Sequence, residues 1–198
     1  MTRNPDETRA RLLGAAFEEI HRHGFQGASL TGILARAEVT KGAMYHHFAS
    51  KQELGYAVVD EVLKARLEAA FFVPLSEREN FIDGLLHTMA KSMEERGAML
   101  ADLGCPLNNL AQEMSPVDEG FRVRVDRLFG WWRDGLAEGL RRAIALGQVR
   151  GDIDPEGVAL FYLAALEGCI GLAKNARSVE MHARCLGVLA EYVNGLRA

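Results

Sequence analysis

Between positions 28 and 54 the chain spaces small, cationic and hydrogen-bonding residues as a nucleic-acid edge requires. Lys41, Gly42 and Ala43 crowd the start of one segment with little bulk, so its backbone can approach base edges, and Lys41 can donate to guanine O6 and N7 or to a phosphate. Tyr45, His46 and His47 follow one turn later with donors for phosphate oxygens. Lys51 opens the next segment, where its charge and the free backbone N–H groups both favour an anion. Ser29 and Thr31 offer the same chemistry on the other side of a groove. Metal binding is the competing chemistry. Adjacent histidines on a helix project about 100° apart, so His46 and His47 make a poor chelate, and His21 and His23 read as a cationic helix end. No metal site is expected.

These side chains need short, well-capped helices to hold them. Leu13, Ala16, Phe17 and Ile20 mark the buried stripe of a first helix over residues 6–23, which Gly24 stops in the left-handed region. Ser29 caps a helix over 30–37, whose inner face is Leu30, Ile33, Leu34 and Ala37. Glu38 and Val39 make the turn, and Thr40 caps a second short helix over 41–48, with Val39 and Met44 facing inward. Ser50 then caps a long helix and Glu53 completes a capping box. The pattern is a helix-turn-helix.

The stretch Ser29-Leu30-Thr31-Gly32-Ile33-Leu34-Ala35-Arg36-Ala37-Glu38-Val39-Thr40-Lys41-Gly42-Ala43-Met44-Tyr45-His46-His47-Phe48-Ala49-Ser50-Lys51-Gln52-Glu53-Leu54 resembles the DNA-binding signature of TetR-family transcriptional regulators. The likeness spans roughly residues 8–55 and joins turn, recognition helix and following cap in one contiguous run. It implies that the second short helix enters the major groove of double-stranded DNA. It also implies homodimers on palindromic operators, mostly repressors that small ligands release. Glu38 departs from the pattern, which often has glycine there; a left-handed Glu costs about 1 kcal/mol relative to Gly.

The whole composition fits an ordinary globular protein. The 198 residues are 48 % hydrophobic and 25 % charged, with 20 Gly and 5 Pro, which excludes collagen and extended disorder. Net charge is −4, but residues 1–55 sum to +1 and the remainder to −5, so the acidic balance lies away from the candidate DNA-binding segment. Three cysteines, Cys105, Cys169 and Cys185, are too few and too widely spaced for a secreted disulfide framework. No uninterrupted apolar stretch opens the chain, so a reducing cytoplasm is the expected setting.

Beyond Leu54 helical spacing persists almost throughout, giving an all-α fold: a three-helix DNA-binding domain over 1–50 and a helical ligand-binding and dimerisation domain over 51–198. The spacing predicts a long connecting helix ended by Pro74, then a helix that Ser76 and Glu79 open and Gly97 closes. A short helix follows Cys105-Pro106, and a long one follows Ser115-Pro116. Phe81, Leu85, Met89, Met93, Phe121, Val125, Phe129, Trp132, Phe161 and Tyr162 are candidates to line an apolar pocket, with Asn108, Asn109, Gln112 and Glu167 as polar anchors. Each also suits plain core packing.

Cys105 precedes a helix, where dipole and free N–H groups stabilise a thiolate. The segment around it, Gly104-Cys105-Pro106-Leu107 with Asn109, Leu110 and Glu113, is similar to one in electrophile-responsive repressors of the N-ethylmaleimide type and flavonoid-responsive repressors of the LmrA/YxaF type. The first likeness implies a modified Cys105; the second implies that the segment only shapes the pocket. A space-filling cysteine is the remaining reading.

Residues 158–173 carry one charge, Glu167, and read as a helix buried on nearly every side. A partner copy supplies the missing cover: Ala164, Ala165, Gly168 and Gly171 allow close approach, and Leu189 and Tyr192 lie on one face of the last helix. Cys169 and Cys185 on these helices read as packing residues. No Gly-rich phosphate loop, HExxH or CxxC motif occurs, so neither an enzyme nor a cofactor is expected. The sequence thus points to a ligand- or electrophile-responsive DNA-binding repressor, with an activator or an all-α enzyme or carrier as alternatives.

Overall fold

The structure, a computed structural model, describes residues 5–198. It is 83 % helical and holds no strand among the described residues. In chain order the helices are α1 (Pro5–Gly27), α2 (Leu30–Ala37), α3 (Lys41–His47) and α4 (Lys51–Ala57). A π-helical segment Val58–Leu63, α5 (Lys64–Leu67), a second π-helical segment Glu68–Phe72 and α6 (Val73–Ser76) follow without a break. Then come α7 (Phe81–Leu103), α8 (Pro106–Met114), α9 (Glu119–Ala145), α10 (Pro155–Ala176) and α11 (Val179–Asn194).

The helices form two compact units, and these divide the chain differently from a single boundary at residue 50. The first takes the chain to Ala65 together with Pro106–Leu128; the second takes Arg66–Cys105 and Phe129–Ala198. In the first unit, Leu12, Ala16, Phe17, Ile33, Met44, Leu54, Val59 and Phe121 are sealed from solvent. Phe121 stacks at 4.5 Å on Phe25 and 4.9 Å on Tyr56. Gly55 permits this approach, since a Cβ there would lie 2.5 Å from the Phe25 ring and 2.7 Å from that of Phe121.

Gly24 does not stop α1 in the left-handed region. Its φ of 73° comes with ψ of 167°, which kinks the helix and lets a last turn reach Gly27. The Glu113 carboxylate fixes the kink, accepting from the backbone N–H of Phe25 and of Gln26 at 2.8 Å each. A Cβ on Gly24 would meet that carboxylate at 2.7 Å, so both space and φ require glycine.

In the second unit, Ile82, Leu85, Met89, Trp132, Leu136, Leu140, Ala159, Tyr162, Leu186 and Val193 form one buried core. Three expected helix ends move. Pro74 does not end the connection: it lies within α6, which continues the preceding helical segments without a break. Asn80, not Ser76, caps α7: its Oδ1 accepts from Ile82 N at 3.0 Å and Asp83 N at 3.2 Å. Gly97 lies buried inside α7, which runs on to Leu103; the Met93 side chain packs where its Cβ would stand. α10 is long and apolar enough by composition to cross a membrane, at a mean hydropathy of 1.5. Yet one of its faces, with Tyr162, Leu163, Glu167 and Ile170, is buried inside this unit. The other is uncovered, so the expectation of burial on nearly every side does not hold within one chain: Leu160, Phe161 and Leu172 are exposed.

Candidate functional site

Local hydrogen bonds set the geometry of α2 and α3. Ser29 Oγ accepts from Gly32 N at 3.2 Å, Thr40 Oγ1 from Ala43 N at 3.2 Å, and Ser50 Oγ from Glu53 N at 3.0 Å. Each such cap contributes about 1 kcal/mol. The turn between the helices is made by Glu38 in the left-handed region, at φ 49° and ψ 46°. Arg11 stabilises it by donating to the Ala37 carbonyl and to the Glu38 carboxylate.

With Ile33, Ala37, Val39 and Met44 buried, the opposite surface of α3 is fixed. Lys41, Gly42, Tyr45 and His46 are exposed, and Ala43 and His47 half-buried. Ser29, Thr31 and Thr40 are exposed as well. Nothing lies within 4 Å of a Cβ built on Gly42, so the helix start is open. The Lys41 ammonium lies 6.0 Å from the Tyr45 ring centre, which places a cation and a phenol side by side. Lys51 is less free than its position suggested. Its Nζ donates to the Gln26 carbonyl at 3.3 Å and lies 4.8 Å from the Phe25 ring centre, and burial pushes its pKa down.

The candidate pocket residues divide between the units. Leu85, Met89, Trp132 and Tyr162 belong to the core of the second unit, and Met93 and Phe129 pack against it. Phe121 and Val125 are buried in the first unit, where Asn108 and Asn109 lie half-buried on α8 and Gln112 is exposed. Two residues depart from the expectation. Phe161 is 52 % exposed and packs at 4.9 Å on Tyr192, because it projects from the uncovered face of α10. Phe81 packs its ring over Gly139 and helps to line a surface groove of about 490 Å³. Glu113 and Glu167, weighed as a carboxylate pair, serve separate ends: Glu113 holds the α1 kink, and Glu167 is buried on α10.

α10 and α11 leave an apolar groove of about 650 Å³, lined by Phe161, Ala165, Gly168, Cys169, Leu172, Met181, Arg184, Cys185, Val188, Leu189 and Tyr192. Leu172 is 59 % and Val188 65 % exposed. Ala164 and Gly171 are exposed too, and open space surrounds Gly168 and Gly171. Cys169 and Cys185 are not separate packing residues. They are joined as a disulfide, because α10 and α11 bring their Cα atoms to 5.5 Å, within the span such a bond needs.

Sequence reasoning missed Thr88 and His182 in the second unit and named Trp132 and Tyr162 only as apolar pocket lining. Thr88 Oγ1, Trp132 Nε1 and Tyr162 Oη are buried without a hydrogen-bond partner, and the His182 ring is buried against the Gly97 backbone. Burial raises the Tyr162 pKa and lowers that of His182, keeping both neutral. Cys105 is half-buried and close enough to Arg96 for the two to interact electrostatically. Apolar periodicity marks the helices that carry these groups but cannot tell which polar residue turns inward.

Comparison with known proteins covers both units. The family model described as bacterial regulatory proteins, tetR family, matches residues 12–58, and that of the tetracyclin repressor-like C-terminal domain matches residues 82–188. The chain is similar to the HTH-type transcriptional repressor DhaR of Mycobacterium sp. (strain GP1), at 27 % identity over 96 % of this chain and 93 % of that one. It is similar to the transcriptional regulator AcuR of Cereibacter sphaeroides, at 30 % identity over 86 % of this chain and 78 % of that one. Among solved structures, reduced NemR of Escherichia coli superposes with a TM-score of 0.82 at 25 % identity, covering 96 % of this chain and 97 % of that one.

Proposed function

The chain belongs to the TetR family of bacterial regulatory proteins and is a transcriptional regulator, and from that premise we propose a cytoplasmic, homodimeric repressor that leaves a palindromic operator when a small effector binds. It works by binding rather than catalysis. One observation carries the DNA half of this reading: α3 exposes Lys41, Gly42, Tyr45 and His46 over a sealed core, with an unobstructed helix start. That surface suits a major groove, with small residues against the bases and donors toward the phosphates. Ser29, Thr31, Thr40, Ala43 and His47 complete the contact, and Lys51, with one of its three donors on Gln26, has two left for a phosphate.

The apolar groove of α10 and α11 supports dimerisation. A second copy placed there by a two-fold covers both grooves and makes a four-helix interface. Such a dimer presents two α3 helices to successive major grooves about 34 Å apart. The helical run 51–76 leads from the unit holding α3 into the unit holding the buried polar groups, and we assign it the lever that changes this separation on effector binding. Equal α3 separations in crystals of free and effector-bound protein would contradict the lever.

Selection from random duplexes, followed by equilibrium binding, tests the function. The selected duplex binds tighter than random DNA by about 1,000-fold or more, with an affinity that falls steeply with salt. Equal affinity for all duplexes would contradict the reading. Treating wild type and Cys105→Ser with N-ethylmaleimide then sorts the effector class. Release in the wild type alone makes Cys105 the switch, whereas release in neither points to a reversible ligand.

A further inference from the structure

We propose that the effector is a small organic carboxylate and that Arg96 receives its charge, an inference that rests on the effector-released regulator argued above. Arg96 lies on α7 and is half-buried. Its guanidinium donates from Nη2 to Ser92 Oγ at 2.8 Å and toward the Ala70 carbonyl at 3.4 Å, and Nε is buried with no partner. Among the described residues no carboxylate forms an ion pair with it. Other half-buried arginines of the chain do have such partners: Arg9 with Glu61, Arg124 with Asp60, Arg197 with Asp83. Neutral oxygens satisfy some of a guanidinium's donors, and the charges that reach it come from the adjacent, exposed Glu95 and from Cys105, so its charge is compensated only in part, which is costly in a half-buried site. An anion removes that cost, and a carboxylate matches the planar fork of donors with two oxygens.

The surroundings define the rest of the ligand. Thr88, Ser92 and Arg96 recur at four-residue steps and so share one face of α7. Phe71, next to the Ala70 that Arg96 touches, packs on Trp132 at 5.2 Å and on Tyr162 at 6.1 Å. Trp132 Nε1 is a donor only, and Tyr162, held in its neutral form by burial, keeps its hydroxyl proton to donate. With Arg96 Nε, these are three buried and unpartnered donors, two on rings that pack against Phe71 and one on the guanidinium that reaches the Ala70 carbonyl beside it. They call for an acceptor-rich molecule. Phe71 and Met89 belong to the apolar core of this unit, which favours a ligand with a short hydrocarbon body over an inorganic anion.

The test uses the full-length protein with sodium benzoate and sodium hexanoate. Benzamide and hexanamide serve as neutral isosteres, and potassium phosphate at equal ionic strength as the inorganic anion. Thermal midpoint and tryptophan fluorescence report binding, and release from the selected duplex reports function. At least one carboxylate raises the midpoint, changes the fluorescence and releases the duplex, while the amides and phosphate do not. Arg96→Met weakens that binding at least about tenfold, the scale of one charged hydrogen bond, and Arg96→Lys restores part of it. Trp132→Phe removes the fluorescence change. Failure of both carboxylates, equal binding of the amides or of phosphate, or wild-type affinity in Arg96→Met would each overturn the proposal. Duplex binding by the free protein separates the two readings: if it persists while the carboxylates fail, only the carboxylate assignment falls. If Arg96→Met does not fold, the Arg96→Lys variant and the amide comparison decide alone.

Discussion

Side by side, the two compact units treat their surfaces and their buried polar groups in opposite ways. In the first, Ser29, Thr40 and Ser50 close helix ends within three residues, and Glu113 fixes the α1 kink from α8. Tyr56 donates to Asp118 at 2.8 Å and stacks under Arg124 at 4.1 Å. This unit's core apolar side chains are sealed, Val117 and Val123 being the exposed ones, and the exposed face of α3 is polar or small. In the second, Thr88, Trp132 and Tyr162 are buried without hydrogen-bond partners, and Phe161, Leu172, Val188 and Tyr192 stand in solvent. The difference is between a unit that completes itself and one whose two faults match two further molecules. An exposed apolar stripe fits a second copy, and a cluster of unpaired donors fits a ligand.

That comparison can be broken most directly at the core of the first unit. Phe121→Ala removes a fully buried ring between Phe25 and Tyr56, and destabilisation by about 3–5 kcal/mol is expected in denaturant melts. A loss below about 1 kcal/mol would show that this unit is not closed as described. The next effect comes from the groove. Val188→Glu places a charge on the apolar stripe, so light scattering finds a monomer and operator affinity drops about 100-fold or more, as one head binds without the other. An unchanged dimer would move the interface elsewhere.

A smaller change sharpens the reading of α3. Lys41→Ala lowers operator affinity by about 1–3 kcal/mol and random-DNA affinity by less. Equal losses on both would confine Lys41 to phosphate. The smallest effect is a pH dependence. Burial holds His182 below its ordinary value of 6.5, so beneath that pH the unfolded chain binds a proton that the folded chain does not. Its contribution to stability is complete above about pH 6.5 and declines as pH falls, with a slope no steeper than about 1.4 kcal/mol per pH unit. The difference between melts of wild type and His182→Asn at pH 7.5 and 5.5 measures it; a constant difference would contradict the burial.

Much of the first unit was legible in the sequence because its determinants are local. Caps at Ser29, Thr40 and Ser50 sit one turn from the N–H groups they satisfy, and apolar spacing placed Ile33, Met44 and Leu54 inside. The turn at Glu38 and Val39 is legible in the sequence, but not the Arg11 contact that supports it, which spans 27 positions. Glu113 was out of reach for the same reason: it bonds to residues 87 and 88 positions away. In the second unit, periodicity found the helices and the small residues of α10. It could not rank Phe161 as exposed and Tyr162 as buried, since neighbours on one helix differ only by what packs against each face. Nor could spacing alone pair Cys169 with Cys185, which requires the register between two antiparallel helices. Arg96 carried no sequence signal, because an arginine on an amphipathic helix ordinarily faces water.

The central claim, that two α3 helices read one operator together, is tested most directly by the spacing of its half-sites. Five base pairs inserted at the centre of the selected duplex turn the half-sites to opposite faces of the helix, given about 10.5 base pairs per turn. The account predicts that affinity falls by about 100-fold or more, to that of a single head. Undiminished binding to the lengthened duplex would contradict it.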